Sequence, residues 1–317
     1  MTWCLVSCRD KGVERIAVLT PDGSVLAPPQ LASWTSLLDL LAVWPEAETV
    51  LCALDLEGAP EIWPEAILAP LRFPRAVIGA GVNYRRHLAE MGGEALGEGW
   101  YPFFFLKPPS TTLLGPFDAI PIRDAEQRRY DWEAELAVVI GTGGSRIPVD
   151  RALGHVAAYA VANDITARGL HRRSDVPAPP FVYDWVSSKA VDGSLPLGPG
   201  LTPAFLVPDP HDLRLRLWVN GHLEQDESTG DMICSVAELV SQASEVITLQ
   251  PGDVVITGTP SGVGVSQGRF LDDGDVVRVE VTGLGHIENT VRLVAPAPEA
   301  GQNGSAPQVS VQKAVKP

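Results

Sequence analysis

The segment Tyr130-Asp131-Trp132-Glu133-Ala134-Glu135, which runs on into Leu136-Ala137-Val138-Val139-Ile140-Gly141, constrains this chain more than any other. An unbroken apolar run of this kind, ended by glycine, reads as a strand entering a core. Glu133 and Glu135 stand at i and i+2, so on a strand they point to the same face. Two like charges side by side at the edge of a core are costly unless a cation lies between them. The competing reading is a solvent-facing strand end with two ordinary glutamates. The apolar continuation weighs against it. Hard carboxylate oxygens suit Mg²⁺ or Mn²⁺, and Ca²⁺ would take the same ligands.

Similar strand-like runs recur along the chain: AVIGAG, PFFFLK, AAYAVAND, LRLRLWVNG, DVVITGT and DVVRVEVTG. In LRLRLWVNG apolar and charged residues alternate, as on a half-buried strand. The 30 glycines and 28 prolines are spread between these runs as turn residues. SVAELVSQASEV is the clearest internal helix. The expected fold class is α+β with a large β core. Residues 1–70 read as a small N-terminal α/β unit, with strands in WCLVSC and ERIAVLT, a turn at PDGS, and a helix in SWTSLLDLLAVW capped by Ser33 or Ser36. Residues 71–295 carry the chemistry-bearing motifs. Residues 296–317 contain no aromatic residue and no periodicity, and read as a loose, disordered tail.

A net charge of −15 argues against a nucleic-acid partner, which needs a basic face. No apolar run of about 18 residues is present, so no membrane span is expected. The first residues, MTWCLVSCRDKG, lack the pattern of a signal peptide. Cys4, Cys8, Cys52 and Cys234 have no metal-ligand spacing and are too sparse for a disulfide scaffold. They are expected to be buried free thiols in a reducing, cytoplasmic setting.

Further candidates surround the glutamate pair. Asp164 ends the apolar run Ala160-Val161-Ala162-Asn163, where a strand would emerge into a site; a turn or cap role is the alternative. In Tyr84–Met91, read as helical, His87 and Glu90 face each other at i and i+3. A carboxylate beside an imidazole orients it as a general base, although such pairs also occur on plain surface helices. Gly79-Ala80-Gly81 hints at a dinucleotide loop, but Tyr84 stands where the third glycine belongs. Thr257-Gly258-Thr259-Pro260-Ser261-Gly262-Val263-Gly264 lacks the ending of a phosphate loop and reads as a turn lining a pocket. Lys189 alone would be a solvated lysine. His155, His171, His211, His222 and His286 show no ligand spacing and read as structural or surface residues. Arg168, Arg172 and Arg173 could grip a carboxylate, but a dimer contact or a solvated face is the expected role.

In order, the chain carries GxNYxxHxxEM, FFLKPPS, YxWExELAVVIG, NDIT, K-x-x-D-x-x-x-P-x-GP, VNG, TLQPGDVVITGTPSGVG and GDVV. Over roughly residues 75–293 this series resembles the fumarylacetoacetate hydrolase family. The resemblance implies a β-rich catalytic roll with a divalent metal at its mouth. It maps the metal ligands to Glu133, Glu135 and Asp164, and the His–Glu dyad of a lid helix to His87 and Glu90. It maps the active-site lysine to Lys189, and substrate contacts to Gln225, Gly258 and Thr259. It also implies a homodimer. The loops GGEALGEGWYP and HRRSDVPAPPFVYDWV look long for the family pattern and would border the pocket.

The first functional expectation is metal-dependent hydrolysis of a C–C bond in a 2,4-dioxo acid or related 1,3-dicarbonyl. Decarboxylation or enol isomerisation of a 2-oxo acid on the same platform is the alternative. A catalytically inactive metal-binding scaffold is a third reading, against which His87, Glu90 and Lys189 together argue.

Overall fold

Ala134–Ile140 is buried along its whole length because both of its faces meet apolar layers. Ala134, Leu136, Val138 and Ile140 enter one core cluster with Tyr159, Val161, Leu215 and Leu217. Ala137 and Val139 enter a second with Leu37, Leu41 and Trp44. The strand is thus the centre of a layered structure, which explains why its sequence is continuously apolar rather than alternating. The computed structural model describes residues 2–94, 96–97 and 99–294. The tail expected over 296–317 lies outside the described residues.

A 12-stranded sheet is built outward from this centre. On one side lie Val254–Ile256, then Val77–Gly81 in parallel, then Phe103–Leu106 at the edge. On the other lie Val156–Asn163, Leu195–Pro203 and then Cys4–Asp10. Residues near the N-terminus therefore extend the same sheet that carries Glu135. Their helix Leu37–Ala42, whose Asp39 N–H donates to the Ser36 hydroxyl at 3.1 Å, packs Leu37, Leu40 and Leu41 into the second cluster.

A second sheet of five strands covers the first cluster. Arg214–Val219 shows the expected half-burial, with Leu215, Leu217 and Val219 inward. Helix Val236–Val246 starts at Ser235, whose side chain and backbone form a reciprocal capping box with Glu238. It packs Val236, Val240 and Ala243 into the same cluster. All seven strand-like runs named from the catalytic region are strands. Together these features make the protein mixed α+β and sheet-rich.

One expectation needs correction. Cys4, Cys8 and Cys234 are buried, but Cys52 is exposed, because it ends a helix whose inward positions are Trp44, Ala47 and Leu51. Burial pushes the Cys4 thiol up to about 12, so it behaves as a small apolar side chain. The nine-residue strand Leu195–Pro203 is absent from the strand-like runs named from the sequence, since its prolines and glycines mask it. Among the described residues no helix is long and apolar enough to cross a membrane.

Candidate active site

The three carboxylates meet where two central strands end. Ala134 pairs with Asn163, so Glu133 and Asp164 sit just beyond the last paired residues. Three hydrogen bonds fix that end: Asp164 N to the Glu133 carbonyl at 2.9 Å, Glu133 N to Asn163 Oδ1 at 3.0 Å, and Ala134 N to Gln225 Oε1 at 2.9 Å. One oxygen from each of Glu133, Glu135 and Asp164 lies within 4.8 Å of the others, and all three residues are buried.

Three buried or half-buried cations are set against them. Lys189, at the end of a helix that Asp184 caps, donates from Nζ to Glu133 Oε2 and Asp164 Oδ2, both at 2.6 Å. Lys107, just past Phe103–Leu106, donates to Asp164 Oδ1 at 2.6 Å. Arg168 donates to Glu133 Oε1 at 2.5 Å and to Asp131 Oδ2 at 2.8 Å. Asp131 also accepts from the Gly264 N–H at 2.7 Å, which ties the glycine-rich turn to the site.

Glu135 stands apart in this network. Its one hydrogen bond among the described residues comes from the Gly258 N–H at 2.7 Å. Gly258 has φ 89° and approaches Asn83 so closely that a Cβ would lie 2.9 Å from the Asn83 Cβ. Burial and then the neighbouring Asp164 and Glu133 charges hold the Glu135 carboxyl well above the usual carboxylate range. Glu133 behaves oppositely. Burial would raise it, but Lys189 and Arg168 outweigh that and bring it to about 2. Burial tends to lower the Lys189 ammonium, yet Asp164 and Glu133 leave it above its ordinary value.

The site's chemistry fits a divalent cation. Asp131, Glu133, Glu135 and Asp164 face Lys107, Arg168 and Lys189, so with every group ionised one negative charge is uncompensated. That charge falls at Glu135, which lacks a cationic hydrogen-bond partner. The donor set is all hard oxygen, as Mg²⁺ or Mn²⁺ prefers. A divalent cation would turn the surplus positive and make the site receptive to an anion.

Facing these carboxylates across the cavity is a short helix, Arg85–Glu90. It follows Val82, a β-branched residue held at φ 56°. That conformation is costly and persists because Asn83 is clamped: its side-chain amide donates to the Cys234 and Thr257 carbonyls at 3.0 and 2.9 Å and accepts from Cys234 N at 2.8 Å. His87 Nδ1 lies 3.0 Å from Glu90 Oε2. Glu90 Oε1 accepts from Gly262 N at 3.0 Å and Ser266 Oγ at 2.7 Å. Burial works against the Glu90 carboxylate, but the hydrogen bonds from His87, Ser266 and Gly262 prevail and lower its pKa.

The cavity between wall and helix has a volume of about 610 Å³, and its lining includes His87, Glu133, Glu135, Lys189, Gly258 and Thr259. Glu90, Asp164 and Gln225 stand behind this lining; Gln225 donates to the Thr259 hydroxyl at 2.9 Å. The structure thus gathers around one space the nine residues that the family resemblance maps to the site.

Two expectations fail here. Arg168 is neither solvated nor free for a dimer contact, because Asp131 and Glu133 hold its guanidinium. His171 is not a plain structural or surface residue: it lines the cavity and hydrogen-bonds through Nδ1 to Ser188 Oγ at 3.0 Å. Lys107 and Asp131 were missed. Asp131 extends the i, i+2 series of Glu133 and Glu135, and Lys107 directly follows an apolar strand, so both carried a signal.

Comparison with known proteins agrees with this geometry. The family model described as "Fumarylacetoacetate (FAA) hydrolase C-terminal" matches residues 76–292. A mitochondrial oxaloacetate tautomerase of Xenopus laevis is 40% identical over 228 residues, covering 71% of this chain and 68% of the relative. A fumarylacetoacetate hydrolase from Exiguobacterium antarcticum superposes with a TM-score of 0.77 at 34% identity, covering 92% of this chain and 100% of that one. Maleylpyruvate hydrolase from Sphingobium sp. SYK-6, solved with manganese(II) and pyruvate, gives 0.70 at 28% identity over 91% of this chain and 99% of that one. With a family match over more than half of its length, a buried triad of carboxylates and the sheet that presents it, this chain belongs to the fumarylacetoacetate hydrolase family.

Proposed function

We propose that the protein is a divalent-metal-dependent enzyme that interconverts the enol and keto forms of a 2-oxo acid, with Glu133, Glu135 and Asp164 as the metal ligands. The observation that carries this reading is the His87–Glu90 pair facing the carboxylate triad across one cavity. The likeness to an oxaloacetate tautomerase favours proton transfer over bond cleavage.

A bound divalent cation supplies positive charge that draws electron density from the oxygens of a 2-oxo acid and acidifies its C3 protons. The chain's own residues do the rest. Lys189 adds positive charge beside the oxygen on which negative charge develops. With Nδ1 engaged by Glu90, His87 has Nε2 left to exchange a proton with C3. Toward the keto form, the His87 imidazolium gives its Nε2 proton to C3, the proton leaving the enol oxygen passes to water, and His87 takes a proton back from water, so no proton is gained or lost overall. Gln225 orients the Thr259 hydroxyl at the cavity wall, where it can hydrogen-bond a substrate oxygen.

Hydrolysis of a C–C bond is the second reading, favoured by the likeness to maleylpyruvate hydrolase. It would use the same His87 to activate water. The deciding experiment follows oxaloacetate enol decay with Mg²⁺ or Mn²⁺, alongside product analysis of oxaloacetate decarboxylation and acylpyruvate hydrolysis. Accelerated ketonisation without pyruvate release is expected. Pyruvate formed from acylpyruvates, with no effect on ketonisation, would replace this reading with the hydrolase.

A further inference from the structure

The cavity is too roomy for a four-carbon acid alone. Its charged end occupies one side, and aromatic rings build much of the remainder. Phe105 stacks on Trp185 with centroids 5.6 Å apart and planes 17° apart. Phe103 meets Trp185 at 4.8 Å, His171 meets it edge-on at 4.5 Å, and Tyr183 lies 5.2 Å from His171. The array begins at the charged end, since Lys189 Nζ is 5.0 Å from the Phe105 ring centroid.

The backbone is shaped to hold this floor. Gly79 pairs with Phe105 and Gly81 with Phe103 across neighbouring strands. A Cβ on Gly79 would come within 2.2 Å of the Phe105 ring, and one on Gly81 within 2.3 Å of the Phe103 ring. The two glycines let the rings lie flat across the adjacent strand. This accounts for the Gly79-Ala80-Gly81 motif, which resembles a nucleotide loop but serves packing. Phe103 remains 44% exposed and Tyr183 54% exposed at the cavity wall. Apolar ring surface left facing water in a concave site is stabilised when a ligand covers it.

We propose that this aromatic annex binds a planar apolar group carried on C3, so that the favoured substrate is an arylpyruvate-type 2-oxo acid rather than a compact dicarboxylate. The inference rests on the 2-oxo acid reading above. Arg172 is the competing feature: it lines the cavity, is exposed, and has no carboxylate within 4.0 Å among the described residues. It would suit a distal carboxylate. A single solvated guanidinium provides less than a contiguous ring floor, which offers both area and stacking.

The test measures enol ketonisation of phenylpyruvate and oxaloacetate by the full chain loaded with Mn²⁺. Phenylpyruvate should show the higher kcat/KM, by about 10- to 100-fold given the area a phenyl ring buries. Phe103→Ala should cut the phenylpyruvate-to-oxaloacetate ratio about tenfold, mainly through KM. Trp185→Leu should cut it as well; if that change disturbs the helix carrying Lys189, both substrates fall together and Phe103→Ala decides. A ratio unchanged in Phe103→Ala overturns the proposal. Oxaloacetate preferred by the wild type, with that preference lost in Arg172→Ala, also overturns it and assigns the outer cavity to a distal carboxylate, while tautomerisation stands. Acceleration of neither substrate overturns the tautomerase reading and this inference with it.

Discussion

The carboxylate wall and the lid helix face the same cavity, yet they are held in opposite ways. The wall grows from strands buried on both faces, and Glu133 and Asp164 each have two cationic partners. The lid is six residues long, too short to be stable as an isolated helix. It depends on the Asn83 clamp, on Arg85 donating to the Met232 carbonyl at 2.7 Å, and on Glu90. The difference teaches a division of labour. The wall holds fixed charge that cannot relax away, whereas the lid carries His87, the group proposed to move the proton, on a single short helix tied down by a few hydrogen bonds.

Replacing a wall carboxylate should have the largest effect. Glu135→Ala or Asp164→Ala is expected to remove metal-dependent turnover altogether while the fold persists, as checked by steady-state kinetics and circular dichroism. Metal-dependent activity that survives in either variant would break the assignment of the triad.

His87→Ala should come next, with a loss of about 10²–10⁴-fold in turnover, the range for a general acid or base. Metal affinity should not change, because His87 belongs to the lid. If His87→Ala weakened metal binding as severely as Glu135→Ala, wall and lid would not be separate devices.

Two smaller effects follow from protonation. Glu135 is held above its ordinary value of 4.5, by burial first and by its acidic neighbours next. In metal-free protein its ionisation therefore disfavours folding, and the penalty grows as pH rises above that value. Glu135→Gln without metal should melt higher than wild type at neutral pH, and the gain should vanish as pH falls toward 4.5. Glu90 has the reverse sign. Its pKa lies below 4.5, so its contribution is present above that value and is lost as pH falls through the lowered one. Glu90→Gln should melt lower than wild type at neutral pH, with the gap closing in acid. A gap independent of pH would show that the Glu90 charge is not what ties down the lid.

How much of this was legible follows from the same contrast. The wall was visible because continuous burial leaves a strong mark: Leu136–Ile140 is apolar throughout, so Glu133 and Glu135 stand out against it. The lid was visible only as a His87–Glu90 spacing, and its motif order gave that spacing meaning. What stayed hidden depended on pairing between distant segments. Nothing in the sequence says that Arg168 reaches Asp131, or that Lys107 reaches Asp164. Leu195–Pro203 was hidden for another reason, since its prolines and glycines mask a buried strand. The ring floor was hidden because Gly79 and Gly81 have meaning only once Phe105 and Phe103 lie across them.

The central claim is that three wall carboxylates hold a divalent cation independently of the lid. Thermal unfolding of chelator-treated protein, titrated with Mn²⁺, tests it most directly. Binding confined to the folded state stabilises it by about 2.7 kcal/mol at 100 times Kd, a rise of several degrees in Tm for a protein of this size at roughly 2–4 °C per kcal/mol. The account predicts that rise in wild type and, undiminished, in His87→Ala, and predicts its loss in Asp164→Asn. A Tm indifferent to Mn²⁺ in wild type, with metal removal verified by elemental analysis, or a full rise retained in Asp164→Asn, would contradict it.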